Sequence, residues 1–207
     1  MSGQTVELEK SEAGGSASSA GQAADEKAAP AKPSRKSELI GWIRYIILLT
    51  LGLFLLTHTI GLDRVHGHSM APTLGDGNIL LINKVSTYFA QPAAGDVVIV
   101  DSAALGYSIV KRVIATEGDN VAIHEGIVYV NGRALPEMYT TGKAADMEEA
   151  AVRPGCVFVL GDNREPGESL DSRSPELGQV PVKEIQGYAL VSLLPWRGIA
   201  KPLEGIG

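Results

Sequence analysis

The sequence predicts a mainly β domain tethered by one N-terminal membrane-spanning helix. Three observations carry that expectation. Tyr45 to Ile60 contain no charged side chain and complete an apolar stretch that opens at Leu39. Beyond it, short apolar runs alternate with Gly, Pro, Asn and Asp, the texture of strands separated by turns. The 207 residues include a single cysteine, Cys156, so no internal disulfide closes the fold and an apolar core must hold it. That length allows one domain of ordinary size plus tails.

Residues 1 to 38 are rich in Gly, Ser, Ala, Glu and Lys, with Pro30 and Pro33, and offer no periodic apolar face to offset the entropy of ordering. They read as a disordered cytoplasmic tail. Residues 39 to 60 follow as the transmembrane helix, within the roughly 17 to 25 residues that a span tolerates. Arg44 falls one turn inside its start, where a long stem can snorkel to the headgroups, and Trp42 and Tyr45 suit an interfacial belt. A buried helix of a soluble protein is the plain alternative, but the segment is apolar all round. Lys27, Lys32, Arg35 and Lys36 precede the span and only Arg64 lies close behind it. The positive-inside rule then puts the tail in the cytoplasm and everything after Ile60 outside, as a single-pass protein of the cell membrane. A cleaved leader fits less well, because the region ahead is long and Thr57-His58-Thr59-Ile60 lacks a small-x-small exit site.

Residues 61 to 207 make up the expected extracytoplasmic β domain, with an excursion around 117–156. Its apolar runs are Ile79 to Ile82, Val97 to Val100, Ile109 to Ala115, Val121 to Ile123, Ile127 to Val130, Val157 to Leu160 and Tyr188 to Leu193. Asn131-Gly132 after Val128-Tyr129-Val130 signals a tight turn. The polar stretch 136 to 154, with Met147-Glu148-Glu149-Ala150 in its middle, reads as an excursion or a short helix. Net charge is -6, and no basic footprint of a nucleic-acid binder is present. Cys156 and the histidines lack metal-ligand spacing, so neither a metal nor another cofactor is expected.

The chemistry concentrates in Gly67-His68-Ser69-Met70-Ala71-Pro72-Thr73-Leu74 and Ser108-Ile109-Val110-Lys111-Arg112-Val113-Ile114-Ala115. A serine hydroxyl needs a partner that takes its proton as it attacks a carbonyl. Lysine can serve only when neutral, which requires its pKa, about 10.4 in water, to be pulled down by burial. The β-branched residues around Lys111 read as a strand, on which Ile109, Lys111, Val113 and Ala115 share one face. Ser69 is therefore the candidate nucleophile and Lys111 its base. Only eight residues separate Ile60 from Ser69, so an extended linker holds the hydroxyl within about 30 Å of the membrane.

Rival readings are weaker. Gly67-His68-Ser69-Met70-Ala71 falls one residue short of a G-x-S-x-G elbow, which needs a strand before it and a helix after it. The histidines are poorly placed for a triad: His58 lies in or beside the membrane, His66 and His68 are chain neighbours of Ser69, and only His124 comes later. Ser108-x-x-Lys111 matches a motif whose residues share a helix face but point oppositely on a strand. By residue type alone, Ser69 also fits a loop serine and Lys111 a solvated strand lysine.

Several stretches in order resemble the bacterial type I signal peptidase family. Ser69-Met70-Ala71-Pro72-Thr73-Leu74 is similar to its nucleophile box, followed by Gly77-Asn78-Ile79-Leu80-Leu81-Ile82-Asn83-Lys84. Gly95-Asp96-Val97-Val98-Ile99-Val100 resembles the next box, and Lys111-Arg112-Val113-Ile114-Ala115 with Gly118-Asp119 the one that supplies the base. Gly126-Ile127-Val128-Tyr129-Val130-Asn131-Gly132 is similar to a further segment. Phe158-Val159-Leu160-Gly161-Asp162-Asn163-Arg164 with Ser169-Leu170-Asp171-Ser172-Arg173 looks like the last box.

The resemblance implies a signal-peptidase-like β fold and a membrane-bound serine endopeptidase that removes signal peptides from exported preproteins through an acyl-enzyme. It implies Ser69 as nucleophile, with its backbone N–H in the oxyanion hole, and Lys111 as general base. Ser169 would hydrogen-bond and aim the amine, and the pairs Asp162 with Arg112 and Asp171 with Arg173 would support the site. Gly67, Met70, Leu74, Ile109 and Val110 are the candidate substrate-pocket residues, although Leu74, Ile109 and Val110 fit plain core as well. Some relatives carry a serine where Gly67 stands. Glu165-Pro166-Gly167-Glu168 lengthens the last box by two residues and is expected to bulge outward, with Ser172 as the fallback for Ser169. Implied partners are preproteins, membrane lipid and the export translocon. The competing functions are a membrane-tethered β module that binds exported proteins without cutting them, and a Ser-Lys peptidase with one dedicated client.

Overall fold

Residues 35–199 are described by the structure, a computed structural model. The expected tail therefore lies outside the described residues up to position 34, and its last four positions are helical instead. Helix α1 runs over Arg35–Thr59. Arg35, Lys36 and Glu38 have long unbranched side chains that favour helix, and Glu38 sits in the first turn, where the helix dipole favours an acid. The stretch Glu38–Thr59 is 22 residues long with a mean hydropathy of 2.2, enough to cross a membrane, and its apolar side chains are unburied.

Ile60, expected as the last residue of the span, instead opens strand β1, Ile60–Arg64. The anticipated linker is thus half strand, because β1 pairs antiparallel with β2 (Ile79–Asn83), setting Leu62 opposite Leu81. A four-residue helix α2, Ser86–Phe89, follows, then β3 at Val97–Ser102 and β4 at Tyr107–Ala115. Next come β5 at Asn120–His124, β6 at Ile127–Val130, β7 at Arg133–Ala134 and β8 at Met147–Ala151. The chain continues through β9 at Cys156–Leu160, β10 at Val180–Pro181, β11 at Ile185–Leu194 and β12 at Trp196–Gly198. Each of the seven apolar runs lies within a strand. The chain divides between Ile43 and Arg44, and all of the β structure belongs to the second unit.

Two antiparallel sheets result. The larger has the order β1-β2-β11-β3-β4-β9-β10, with β12 paired to β11, and the smaller has the order β7-β6-β5-β8. Strand β4 is interior, hydrogen-bonded to β3 on one edge and β9 on the other, so Lys111 and Arg112 sit on a backbone that cannot swing. The smaller sheet is stitched by two-residue turns that demand positive φ at both positions. Asn131 and Gly132, at 52° and 75°, join β6 to β7, and Glu125 and Gly126, at 54° and 83°, join β5 to β6.

The stretch Met147–Ala151 is a strand and not a helix. Its Met, Glu and Ala residues favour helix locally, but pairing with β5 and burial of Met147 against the Ile114–Phe158–Leu160 cluster override that preference. Two further apolar clusters bear on the chemistry. Val65, Met70, Leu74, Leu80, Ile82 and Val97 pack beneath the Ser69 turn, and Val98, Val100, Val113, Val157 and Val159 pack beside the Lys111 strand.

Candidate active site

The turn that carries Ser69 is short and anchored from below. Ala71 N–H donates to the His68 carbonyl (3.0 Å) and Leu74 N–H to the Met70 carbonyl (2.8 Å), while Met70 and Leu74 are fully buried. The half-buried Ser69 side chain is left above them, and Lys111 Nζ donates to Ser69 Oγ at 2.7 Å. Lys111 is only 3% exposed. Burial pulls its pKa down from 10.5 to about 8; the charges of Asp171 and Asp162 resist that shift, and Arg173 assists it.

Ser69 and Lys111 open onto a cleft of about 300 Å³, whose other walls are residues 63–66, Met70 and Tyr107 to Val110. Two larger hollows, of about 730 and 780 Å³, include neither residue in their walls. Of the expected pocket residues, Met70, Ile109 and Val110 line the cleft. Leu74 does not, because the turn directs it into the core with Leu80 and Ile82. Gly67 is absent from the walls as well; its φ of +87° strains any side chain there, and its N–H is fixed by Asp76 Oδ1 at 2.9 Å.

Both expected ion pairs form. Arg112, completely buried, donates through Nε and Nη2 to the two oxygens of Asp162 (2.8 and 2.7 Å) and through Nη1 to the Gly95 carbonyl (2.9 Å). Arg173 grips Asp171 in the same bidentate way, at 2.8 Å for each bond. Burial pushes the Asp171 carboxyl up, but the hydrogen bond and charge of Arg173 outweigh it and hold the group below the usual carboxylate value.

The expected bond from Ser169 to the amine is not formed. Ser169 Oγ is buried with no hydrogen-bond partner among the described residues; it lies near enough to Asp171 to favour the ionised carboxylate, outside hydrogen-bond geometry. Ser172 does not replace it, since its Oγ accepts from Val159 N–H at 2.9 Å. Glu165-Pro166-Gly167-Glu168 forms an exposed turn closed by Glu168 N–H on the Glu165 carbonyl (3.1 Å), which returns the chain inward at Ser169.

Four contributors were not singled out from the sequence. Asn163 N–H donates to the Ser69 carbonyl (3.0 Å) and Asn163 Nδ2 to the His68 carbonyl (3.3 Å), so the 161–164 segment clasps the Ser69 turn. Arg164, buried, bonds the Gly161 carbonyl through Nε (2.7 Å) and grips Glu137 through both terminal nitrogens, with Nη1 to Oε2 at 2.6 Å. The Tyr139 ring lies 4.4 Å from the Arg112 guanidinium carbon, a cation–π contact. Arg164 stands within the last box and could have been suspected; Glu137 and Tyr139 lie in the polar excursion, where no periodicity fixes a register.

Gly161 ties these groups together. A Cβ there would collide with Ser169 Oγ and with the Ser69 carbonyl oxygen, and would sit 2.8 Å from Ser169 Cβ. Gly161→Ala is accordingly expected to push the Ser69 turn outward and lower kcat about 10²-fold or more, since misplacement by about 1 Å costs that much. Rate measurement alongside thermal unfolding checks it: a folded variant with unchanged kcat would contradict the expectation.

Residues 39–194 match the model of a family described as signal peptidase, peptidase S26. A signal peptidase I of Bacillus licheniformis is 31% identical over 180 residues, covering 81% of this chain and 95% of its own length. One from Bacillus caldolyticus is 35% identical over 175 residues, covering 77% and 91%. A solved signal peptidase I from Enterococcus faecalis aligns with a TM-score of 0.42 and 28% identity, over 47% of this chain and 96% of its own. The sequence matches alone carry the assignment: this chain belongs to the signal peptidase family, peptidase S26.

Proposed function

We infer that this chain is a membrane-anchored serine endopeptidase that removes signal peptides from exported preproteins, with Ser69 as nucleophile and neutral Lys111 as general base. The observation that carries the reading is the 2.7 Å contact between a buried lysine amine and a serine hydroxyl at the wall of a cleft. Ser69 Oγ attacks the scissile carbonyl carbon while Lys111 Nζ takes its proton. The Ser69 backbone N–H stabilises the oxyanion. Collapse of the tetrahedral intermediate breaks the C–N bond, and Lys111 returns the proton to the departing amine. Water then attacks the acyl-enzyme, Lys111 again accepting and returning a proton, and the signal peptide leaves with a free carboxylate.

Arg112 with Asp162 and Arg173 with Asp171 hold the strand and loop that carry these groups. Helix α1 serves as the anchor, with its N-terminal end in the cytoplasm and the β domain on the outer face, close to the translocon from which preproteins emerge. The cleft holds only about 300 Å³, and its apolar wall of Met70, Ile109 and Val110 suits small side chains before the cut. Incubating the full chain in detergent with several preproteins and their mature forms tests the reading. Each preprotein should be shortened by one intact signal peptide and each mature form left whole. Cuts within mature regions, or none in any preprotein, would overturn it.

A further inference from the structure

The hollow of about 780 Å³ remains without a role, and its walls include Thr57, His58, Lys84, Tyr88, Lys183 and Gln186. It lies where α1 ends: Lys84 N–H donates to the carbonyl of Thr59, the last residue of that helix, at 2.9 Å. Two ammonium groups and an imidazole thus border one concavity, and among the described residues no carboxylate lines it, in a chain whose net charge is -6. The nearby Asp101 carboxylate is engaged by Gln186 Nε2 at 2.8 Å.

Lys84 is half-buried because its stem lies over Gly61, where an added Cβ would stand 2.7 Å from Lys84 Cε. Helix α2, immediately after Lys84, presents Tyr88 and Phe89 at 80% and 86% exposure. Two adjoining aromatic side chains that bare are out of place on a water-facing surface. At the exit of a membrane span they fall in the interfacial layer, where aromatic side chains are favoured and lipid phosphates lie.

We propose that this hollow binds the phosphate of an anionic phospholipid headgroup through Lys84 and Lys183, with Tyr88 and Phe89 seated at the headgroup boundary. The proposal rests on reading α1 as a membrane span. It gives the catalytic domain a second attachment beside the helix, which limits rotation about the short connection between Thr59 and Ser69.

Amine acetylation of the full chain in vesicles tests this, comparing phosphatidylcholine alone with phosphatidylcholine containing phosphatidylglycerol, plus a detergent sample with inorganic phosphate. Lys84 and Lys183 should be protected in the phosphatidylglycerol vesicles only. Binding of short-chain phosphatidylglycerol to the detergent-solubilised chain should fall roughly 25-fold in the Lys84→Gln/Lys183→Gln variant, about fivefold per lysine. Equal protection in phosphatidylcholine, or by inorganic phosphate, would overturn the headgroup assignment. Alkaline extraction separates the two layers of the claim. A chain that stays in the vesicles with unprotected lysines defeats this proposal alone, and a chain that washes out defeats the spanning reading and the proposal with it.

Discussion

Lys111→Met is expected to abolish cleavage and to leave a more stable protein. Loss of the base removes both proton transfers, and losses of roughly 10⁴-fold or more accompany removal of one member of a nucleophile–base pair. The stability gain follows from the lowered pKa. Below pH 8 the amine is protonated in the folded and the unfolded chain, and the folded chain carries the full cost of burying its charge. Between about 8 and 10.5 the unfolded chain binds more protons, so the contribution of this group to stability improves as pH rises. Above 10.5 the penalty is gone.

The depressed value corresponds to a cost on the order of 3 kcal/mol near neutral pH. Loss of the hydrogen bond to Ser69 takes back about 1 kcal/mol. A net gain of roughly 2 kcal/mol at pH 7, vanishing above pH 10, is the expected result of urea unfolding in detergent. Ser69→Ala should lose as much activity without that gain, because the buried amine stays. Combining both substitutions should cost little more activity than either alone, since the two side chains act as a unit.

Asp162→Ala is expected to cost about 3 to 5 kcal/mol of stability, the range for stranding one member of a buried ion pair. Arg112 is 0% exposed, and neither the Gly95 carbonyl nor the Tyr139 ring that also meet it carries a full negative charge to replace that of Asp162. Arg112→Met combined with Asp162→Leu should recover most of the loss, because two apolar side chains leave no uncompensated charge. The urea midpoint reads the outcome. If the single substitution costs less than about 1 kcal/mol, Arg112 has found water or another partner, and its role in holding β4 to the 161–164 segment is wrong.

Much of this arrangement is legible in the sequence. Runs such as Val97 to Val100 and Ile109 to Ala115 are long, β-branched and bounded by turn residues, so local preference and tertiary packing agree. Ser69, Lys111 and the two Asp–Arg pairs stand in recognisable boxes. Strand β1 was hidden because Gly61 and Asp63 break its apolar pattern and only pairing with β2 makes it extended. Leu74 could not be told from a pocket residue, because one turn of backbone decides whether it faces cleft or core. For Ser169 the box gives the position in the chain, but the direction of its hydroxyl depends on Gly161 and Asp171 packed around it. Glu137 reaches Arg164 across 27 positions from a polar loop, a pairing that no local pattern encodes.

The dependence of kcat/KM on pH, followed with one preprotein from pH 6 to 10.5, tests the central claim most directly, because its limbs report groups of the free enzyme. If a neutral Lys111 is the base, the rate rises tenfold per pH unit on the acid side and levels off with a midpoint at about 8. A midpoint near 6.5, where histidine titrates, or a rate still climbing through 10.4 as for a solvated lysine, would contradict the account.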